Sequence, residues 1–394
     1  MENQPDAEQI PMRIRGVFQN GQALATAIIQ EHLDREKNVL LNIAVTGKTG
    51  SGKSTFVNAI RGVGDEDKGA APTDVVESTE EVTRYPHPNF PNVVLWDLPG
   101  VGTPNYPAAD YMRLVGFERF DFFIIISSER FTENDMKLAK EIQRMKKMFY
   151  FVRSKIDIDI ENQKRKKDFN KESTLKRVGE YCTKRLLDQG FESPLVFLVS
   201  SFDLHLYDFL LLVQTLEREL PELKREAFLL AMPNTSLEMI DRKKKAFKAK
   251  IKYYAALSAL IAAVPVPGLS ASVDVNLMVK VINEYKIGFG LDIPSMQRLA
   301  DRKGVRIQDL MVGMTSPLTT REVTYDVVFK VIVQCVNMAA PMVAEEGSRY
   351  IPLLGIPAAM ALSFTTTYYG LSSNLNMLAE DAQKVFRRAL DLTT

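Results

Sequence analysis

The segment at positions 47–54 reads Gly47-Lys48-Thr49-Gly50-Ser51-Gly52-Lys53-Ser54 and decides the fold. It has the G-x-x-x-x-G-K-[ST] pattern of a phosphate-binding loop, whose glycines let the backbone curl around an anion with its N–H groups pointing inward. Lys53 is expected to reach the β and γ phosphates, and the Ser54 hydroxyl is expected to hold Mg²⁺. The pattern predicts that these residues, with Thr55 behind them, bind a nucleoside triphosphate.

The loop is flanked by the elements that such a site requires. An apolar segment at 41–45 precedes it, and residues 55–60 continue it as an amphipathic helix. Beyond it, predicted strands alternate with predicted helices; the strands lie at 91–96, 121–126, 149–152 and 195–199, and the helices at 132–147, 171–189 and 205–219. This alternation predicts an α/β domain with a mainly parallel sheet and helices on both faces. Ligands bind such sheets at the carboxyl ends of the strands.

A second motif follows the predicted strand at 91–96. Asp97-Leu98-Pro99-Gly100 has the D-x-x-G form, in which a carboxylate holds Mg²⁺ through a water and the glycine N–H contacts the γ-phosphate. We therefore expect Asp97 to bind the metal and Gly100 to take part in catalysis. Val101 stands where Ras-type enzymes carry a Gln that orients the attacking water. Intrinsic hydrolysis should be slow and should need a group from a partner or from a second copy.

The base should be recognised by Ser154-Lys155-Ile156-Asp157, a variant of the N-K-x-D motif. Asp157 would accept hydrogen bonds from guanine N1–H and the exocyclic amine, which adenine does not supply. Lys155 would lay its aliphatic stem along the base, and Ser154 replaces the usual Asn, so one polar contact is altered. Ser200 and Ser201 follow the last predicted strand, where a short loop would support the base.

Switch I should lie between residues 69 and 79, before the strand that leads to Asp97. Thr73 or Thr79 would complete the Mg²⁺ shell, and the sequence does not decide which. Three roles stay open for Glu77, namely a polar surface residue, a water-positioning group and an interface contact.

The bulk composition excludes several classes of protein. The 394-residue chain has a formal net charge of +1, so we expect no binding to nucleic acid. Its two cysteines exclude a disulfide framework and a zinc knuckle. The first residues lack the basic and apolar regions of a signal peptide, and Glu2 stands where N-myristoylation needs glycine. These features predict an intracellular protein.

Helices are predicted on both sides of the α/β domain. Residues 9–36 carry an apolar helical stripe formed by Ile10, Val17, Leu24, Ile28 and Leu33. The basic segment 242–252 predicts a solvated helix face, with contact to anionic lipid as the alternative. Two charge-free runs, 253–273 and 350–379, contain Pro or Gly and many small residues, so we interpret them as buried core helices. A membrane-contacting hairpin and two true spans stay open as alternatives.

Five segments together resemble the immunity-related GTPases, also called the interferon-inducible GTPases. They are the loop at 47–54, Gly69-Ala70-Ala71, Val93-Val94-Leu95-Trp96-Asp97-Leu98-Pro99-Gly100, Asp121-Phe122-Phe123-Ile124-Ile125-Ile126-Ser127 and Phe149-Tyr150-Phe151-Val152-Arg153-Ser154-Lys155. The resemblance implies a Ras-like P-loop GTPase (G) domain and an all-α helical domain. Residues 38–220 would form the G domain, and the N-terminal helices at 1–37 would pack with the C-terminal helical domain at 221–394.

The resemblance also implies a way of working. GTP-dependent self-assembly through facing G domains would activate hydrolysis, and the protein would attach to intracellular membranes, especially vacuoles that hold pathogens. Glu77 matches the family's switch I glutamate at the dimer face, and Thr73 and Thr79 match switch I threonines. Lys53 places the chain with the effector-type members, because the regulatory members carry Met there. Since Glu2 removes the lipid anchor of some relatives, attachment would be peripheral.

Two functions stay open. The first is a GTPase that uses GTP/GDP and Mg²⁺, hydrolyses GTP slowly, is activated by self-assembly, and acts on intracellular or vacuolar membranes from the cytoplasm in cell-autonomous innate immunity. The second is a nucleotide-gated scaffold or membrane-trafficking switch whose hydrolysis serves as a timer. An ATPase is a distant third, because Asp157 favours guanine.

Overall fold

The computed structural model describes residues 22–73, 81–101, 105–107, 110–262, 269–320, 323–330 and 358–391. The chain divides into two compact units. One is Val39–Ser236, which contains the sheet, and the other joins Met1–Asn38 to Leu237–Thr394.

Strands and helices are numbered here in chain order. The strands are β1 Leu41–Gly47, β2 Thr83–Pro86, β3 Val93–Asp97, β4 Phe122–Ser127, β5 Met148–Arg153 and β6 Val196–Leu198. The helices are α1 Gln22–Asn38, α2 Lys53–Arg61, α3 Tyr111–Val115, α4 Glu133–Arg144, α5 Ile156–Gln163, α6 Lys171–Asp188, α7 Phe209–Glu219, α8 Glu222–Ala231, α9 Leu237–Ala262, α10 Leu269–Gly288, α11 Ile293–Lys303, α12 Ile307–Met311, α13 Pro317–Thr320 and α14 Ala358–Asp391.

The described strands form a six-stranded sheet in the order β2-β3-β1-β4-β5-β6. Neighbouring strands are parallel except β2 and β3, which are antiparallel. Every residue of β1 and β4 is buried, as expected for continuous apolar strands in the middle of a sheet. The predicted α/β fold is confirmed.

Helices cover both faces of this sheet. Side chains alternate between the faces of a strand, so Phe122 and Phe123 of β4 point in opposite directions. Phe123 shares a buried cluster with Ile142 of α4 and Leu186 of α6. The Phe122 ring instead lies 6.3 Å from the ring of Phe228 in α8. The sheet is therefore held between two packed layers of helices.

The edge strand β2 was missed by the sequence patterns. It spans only four residues, Thr83-Arg84-Tyr85-Pro86, and all four are partly or fully accessible to solvent. It ends on proline, which sheets accept at an edge. A segment this short and polar carries too little alternation to predict a strand.

The sheet-containing unit continues past residue 220, the predicted end of the G domain. Helix α8 contacts β1 and β3, and its Phe228 and Leu229 are buried. The predicted strands end before this unit does, because the last element that packs on the sheet is a helix. The bounds of the two domains stay a prediction, and these contacts favour an end near Ser236.

In the helical unit, α9 and α14 pack along each other, and α10 contacts both. The Ser258 hydroxyl of α9 lies 2.7 Å from the Ser363 hydroxyl and 2.7 Å from the Thr367 hydroxyl of α14. Helix α1 packs on α9, where the rings of His32 and Tyr253 are 4.8 Å apart. Small hydroxyl side chains let α9 and α14 approach closely.

The described parts of the two charge-free runs lie in α9, in the first turn of α10 and in α14. Leu257 and Leu260 of α9 and Leu371 of α14 are buried in the helical unit. Residues 263–268 and 350–357 lie outside the described residues. Within the described residues, no helix combines the length and the apolar character needed to cross a bilayer.

The stripe expected in the N-terminal segment was partly wrong. The buried side chains of α1 are Ala25, Ile29 and Leu33, whereas Leu24 is 52% exposed. Apolar residues at neighbouring positions allow two possible apolar stripes along this helix. Packing against α9 decides which of the two is buried. Ile10 and Val17 lie outside the described residues.

The solvated face expected at 242–252 also needs a correction. Lys245 and Lys248 are exposed, but Lys243 is only 2% exposed and donates from Nζ to the Gly288 carbonyl at 2.8 Å. Consecutive residues of a helix point in different directions around its axis. A run of basic residues therefore places some of them on the buried side as well as on the solvated side.

Candidate functional site

The phosphate-binding loop joins β1 to α2 at the carboxyl end of a central strand. At Gly47 a Cβ atom would lie 2.1 Å from the Ile126 carbonyl oxygen on β4, so only glycine fits. Gly50 and Gly52 have φ angles of 78° and 90°, in the left-handed region that favours glycine. Gly52 is also the N-cap of α2, so the first N–H groups of that helix open toward the loop. The segment therefore has the backbone shape that its motif predicts for an anion cradle.

Lys53 starts α2 and is buried beneath the loop. Its Nζ donates to the Lys48 carbonyl at 3.3 Å. Asp135 of α4 lies near enough for the charges of Lys53 and Lys48 to act on it. Burial raises the pKa of Asp135, while its hydrogen bonds with Thr132 and the two lysine charges oppose that rise. Sequence reasoning missed Asp135, because Thr132-x-x-Asp135 is also an ordinary helix capping box.

Ser54 and Asp97 meet at the centre of the site. The Ser54 hydroxyl donates to Asp97 Oδ2 at 2.5 Å, and both residues are buried. Asp97 ends β3, directly beside the loop that follows β1. A hydroxyl and a carboxylate are hard oxygen ligands, so this pair fits Mg²⁺.

The S-K-x-D segment is hydrogen-bonded to the phosphate-binding loop. The buried Ser154 hydroxyl donates to the Ser51 carbonyl at 2.6 Å, and Lys155 Nζ donates to the Gly50 carbonyl at 2.9 Å. Lys155 has a φ of 55° at the N-cap of α5, which turns its side chain toward the loop. The serine that replaces the usual Asn therefore still links the two segments.

Arg153 fixes the turn that carries Ser154. Its guanidinium donates to the Ser154 carbonyl at 2.8 Å and forms an ion pair with Asp159 of α5. Burial raises the pKa of Asp159, and the charge of Arg153 opposes that rise. Arg153 is buried at the end of β5, and its role could not be inferred from the motif because its partner lies six positions away on a helix.

The remaining base-side residues lie close to that turn. Asp157 is half-buried in the first turn of α5. Val199 N donates to the Arg153 carbonyl at 2.9 Å, which brings the Ser200-Ser201 loop beside the S-K-x-D segment. Ser200 is buried and its hydroxyl accepts from Asp203 N at 3.3 Å, whereas Ser201 is half-exposed.

The D-x-x-G segment is tied to β1 from two sides. Leu98 N donates to the Val45 carbonyl at 3.0 Å. The Pro99 carbonyl accepts from the Tyr111 hydroxyl at 2.8 Å, and that hydroxyl is also 2.8 Å from Thr46 Oγ1. Gly100 and Val101, which come next, are buried.

Switch I is described only at its beginning. The Asn58 side chain of α2 forms two hydrogen bonds with the backbone of Ala71. Its Nδ2 donates to the Ala71 carbonyl at 2.9 Å, and its Oδ1 accepts from Ala71 N at 2.7 Å. Thr73 is exposed, and no described contact links it to Ser54 or Asp97. The two remaining switch I candidates, Glu77 and Thr79, lie outside the described residues.

A known protein family matches nearly the whole chain. A family model described as interferon-inducible GTPase (IIGP) matches residues 8–389. The chain belongs to the interferon-inducible GTPase family. The resemblance stated from the motifs is thus confirmed along nearly the whole chain.

Individual relatives agree with this assignment. This interferon-inducible GTPase is 40% identical over 381 residues to Interferon-inducible GTPase 5 of Rattus norvegicus, covering 96% of this chain and 82% of the rat protein. It is 42% identical over 295 residues to T-cell-specific guanine nucleotide triphosphate-binding protein 2 of Mus musculus, covering 74% and 71% of the two chains.

Among solved structures, the GMPPNP form of the cytosolic domain of the T. maritima FeoB iron transporter is similar with a TM-score of 0.27 and 14% identity, covering 67% of this chain and 94% of that one. A similarity this low adds nothing to the description of the fold.

The other predicted loop residues of this GTPase surround the same cradle. Lys48 and Thr49 are exposed, Ser51 is buried, and Thr55 is half-buried on α2. The assignment to the effector type rests on Lys53 alone and stays a prediction.

Proposed function

We propose that this GTPase binds GTP and GDP with Mg²⁺ at the carboxyl edge of its sheet, hydrolyses GTP slowly, and is activated when the G domains of two copies meet. One observation carries the proposal: two motifs far from the phosphate-binding loop in sequence are both hydrogen-bonded to it. Ser54 of the loop donates to Asp97, and Ser154 donates to Ser51 of the loop. Such an arrangement serves one ligand with phosphates at its centre and a base at its side.

Each group has a task that follows from its chemistry. The loop N–H groups and the start of α2 bind the phosphate oxygens, and the Lys53 ammonium neutralises the β and γ phosphates. Ser54 and Asp97 would hold Mg²⁺, which when bound offsets the charge that develops on the phosphates. Gly100 would donate its N–H to the γ-phosphate. Thr73 or Thr79 would complete the metal shell.

Guanine selectivity is assigned to Asp157. Its carboxylate lies in the first turn of α5, just beyond Lys155, whose side chain reaches the loop. A carboxylate left without donors in a closed site costs about 1–3 kcal/mol, and adenine does not offer those donors. Ser200 and Ser201 would support the base from the neighbouring loop.

The slow intrinsic hydrolysis in this proposal follows from Val101. This side chain is apolar and buried after the D-x-x-G motif, so it cannot orient a water. Activation therefore requires a polar group from outside this segment. Glu77 in switch I is our candidate, and it would act across the face between two G domains.

We further propose that the protein acts in cell-autonomous innate immunity on intracellular or vacuolar membranes, with peripheral attachment. Support comes from the interferon-inducible family and from the exposed Lys245, Lys248 and Lys252 on α9. Basic side chains near a membrane surface contribute about 1 kcal/mol each on anionic lipid. Flotation with anionic and neutral liposomes tests this, and binding that ignores both salt and lipid charge would contradict it.

The test of the function is GTP hydrolysis per mole of protein, measured across a wide range of protein concentrations. We expect specific activity to rise with concentration, and GTP to be preferred over ATP by at least about tenfold, a difference of 1.4 kcal/mol. Constant specific activity would support the alternative, a switch whose hydrolysis is a timer. Equal affinity for GTP and ATP would reject guanine selectivity.

A further inference from the structure

A buried phenol joins the strand before the phosphate-binding loop to the D-x-x-G segment. Tyr111 and Thr46 are both 0% exposed. The Tyr111 hydroxyl donates to the Pro99 carbonyl at 2.8 Å and lies 2.8 Å from Thr46 Oγ1. A phenol has one hydrogen, so the bond to Pro99 uses it and Thr46 must donate to the Tyr111 oxygen. The hydrogen bonds therefore run in one direction, from Thr46 through Tyr111 to Pro99.

The carbonyl that Tyr111 holds belongs to the same peptide unit as the Gly100 N–H. A peptide bond is planar and trans, so fixing the Pro99 oxygen also fixes the direction of the Gly100 N–H on the opposite side. The preceding residue is already anchored, because Leu98 N donates to the Val45 carbonyl at 3.0 Å. The orientation of the Pro99–Gly100 peptide then depends on the phenol hydroxyl.

We propose that Tyr111 is a positioning residue that aims the Gly100 N–H at the γ-phosphate and thereby helps the site to distinguish GTP from GDP. The inference rests on the proposed function, which gives Gly100 this contact. GDP has no γ-phosphate, so its affinity does not depend on this N–H. A triphosphate uses it, so its affinity does.

A purely structural role for Tyr111 makes a different prediction. The ring belongs to a buried cluster with Leu98, Val101 and Val115, so loss of the ring would loosen the segment for every nucleotide. Tyr111→Phe keeps the ring and removes only the hydroxyl. The ratio of the two affinities therefore separates aiming of the peptide from packing of the ring.

The experiment measures the Kd of GDP and of GTPγS, both with Mg²⁺, for the full chain, for Tyr111→Phe and for the control Tyr106→Phe. The control removes a hydroxyl from a ring that lies 6.2 Å from the Tyr111 ring. For Tyr111→Phe we expect GTPγS binding to weaken about tenfold, the factor that 1.4 kcal/mol represents. GDP binding should stay within about twofold, a change of less than half that free energy, and Tyr106→Phe should change neither.

Equal weakening of both ligands by Tyr111→Phe, or no weakening of either, would overturn the proposal. If that variant does not fold, Thr46→Val removes the donor to the phenol and should weaken GTPγS selectively by about threefold, half of that effect in free energy. An unselective change would again overturn it. If the unsubstituted chain binds no guanine nucleotide, the proposed function itself fails, which is a separate result.

Discussion

Ser154 links its motif to the phosphate-binding loop through a short hydroxyl side chain. The same motif normally carries the amide side chain of Asn at this position. Its bond to the Ser51 carbonyl is 2.6 Å long and buried. Ser154→Ala should leave that carbonyl without its partner and weaken nucleotide binding by about fivefold to tenfold, since a typical hydrogen bond contributes about 1 kcal/mol and an orphaned group costs more. GDP and GTPγS should be affected alike, because the bond supports the loop and not the γ-phosphate.

The matched control is Ser173→Ala, at an exposed position on α6. Calorimetric or fluorescence titration of all three proteins with both nucleotides provides the measurement. A Ser154→Ala protein with unchanged affinity would show that the loop keeps its shape without this bond.

We expect Asp157 to determine the choice of base. Asp157→Ala should bring the affinities for GTP and ATP close together, because the donors of guanine lose an acceptor worth about 1–3 kcal/mol while adenine loses nothing. Competition of GTP and ATP against a fluorescent guanine nucleotide measures the ratio, and Asp168→Ala at an exposed position is the control. If the variant keeps its preference for GTP, the base is recognised elsewhere.

Residue positions could be predicted where a motif fixes both residue type and spacing, while the roles of those residues stay predictions. Lys53, Ser54 and Asp97 lie in the site for that reason. Tyr111 and Arg153 could not be found, because their contacts join positions whose proximity only the folded sheet creates. A lone tyrosine or arginine in the sequence is equally consistent with an ordinary core or surface role.

Secondary-structure elements followed the sequence where their hydrophobic period was long enough. β1, β4 and β5 are mostly apolar and were predicted, whereas β2 is too short and too polar. Helix α9 was predicted as a helix, but its periodicity did not show which basic residue faces inward. Packing against neighbouring helices decides that, and it placed Lys243 inside.

Buried Lys243 is expected to make the stability of the helical unit depend on pH. Burial lowers the pKa of Lys243 to about 7 from 10.5. Between these values the unfolded chain binds a proton that the folded chain does not, so the free energy of unfolding should rise with pH by up to about 1.4 kcal/mol per pH unit. Below pH 7 the amine is charged in both states and this slope vanishes.

Chemical denaturation of the full chain and of Lys243→Met from pH 6 to pH 9 isolates this contribution. The difference in unfolding free energy between the two proteins should grow in favour of the lysine above pH 7. The control is Lys248→Met, which removes an exposed lysine from the same helix and should not reproduce this dependence. Parallel curves for the full chain and Lys243→Met would contradict the argument.

At the scale of the whole molecule, the order of motifs predicted the fold and the family but not where the two units divide. The division depends on α8, which has the composition of a helix from either unit and is assigned only by its contacts with β1 and β3. Self-assembly is also a property of surfaces, which leave no periodic signal in a sequence. A test of self-assembly therefore has to compare solutions of different protein concentration.

Glu77 provides that test. Val101 offers no polar group to the attacking water, so hydrolysis should be low in dilute protein and should rise when a second G domain supplies the missing group. Glu77→Ala should keep the affinity for GTP but lose the rise of specific activity with protein concentration. The control is Glu81→Ala, an exposed glutamate just beyond the switch, which should retain that rise. Arginine fingers accelerate related enzymes by about 10³-fold or more, and we expect a smaller factor here because a carboxylate orients water without neutralising phosphate charge. A Glu77→Ala protein whose specific activity still climbs with concentration would remove Glu77 from this role and leave assembly itself in place.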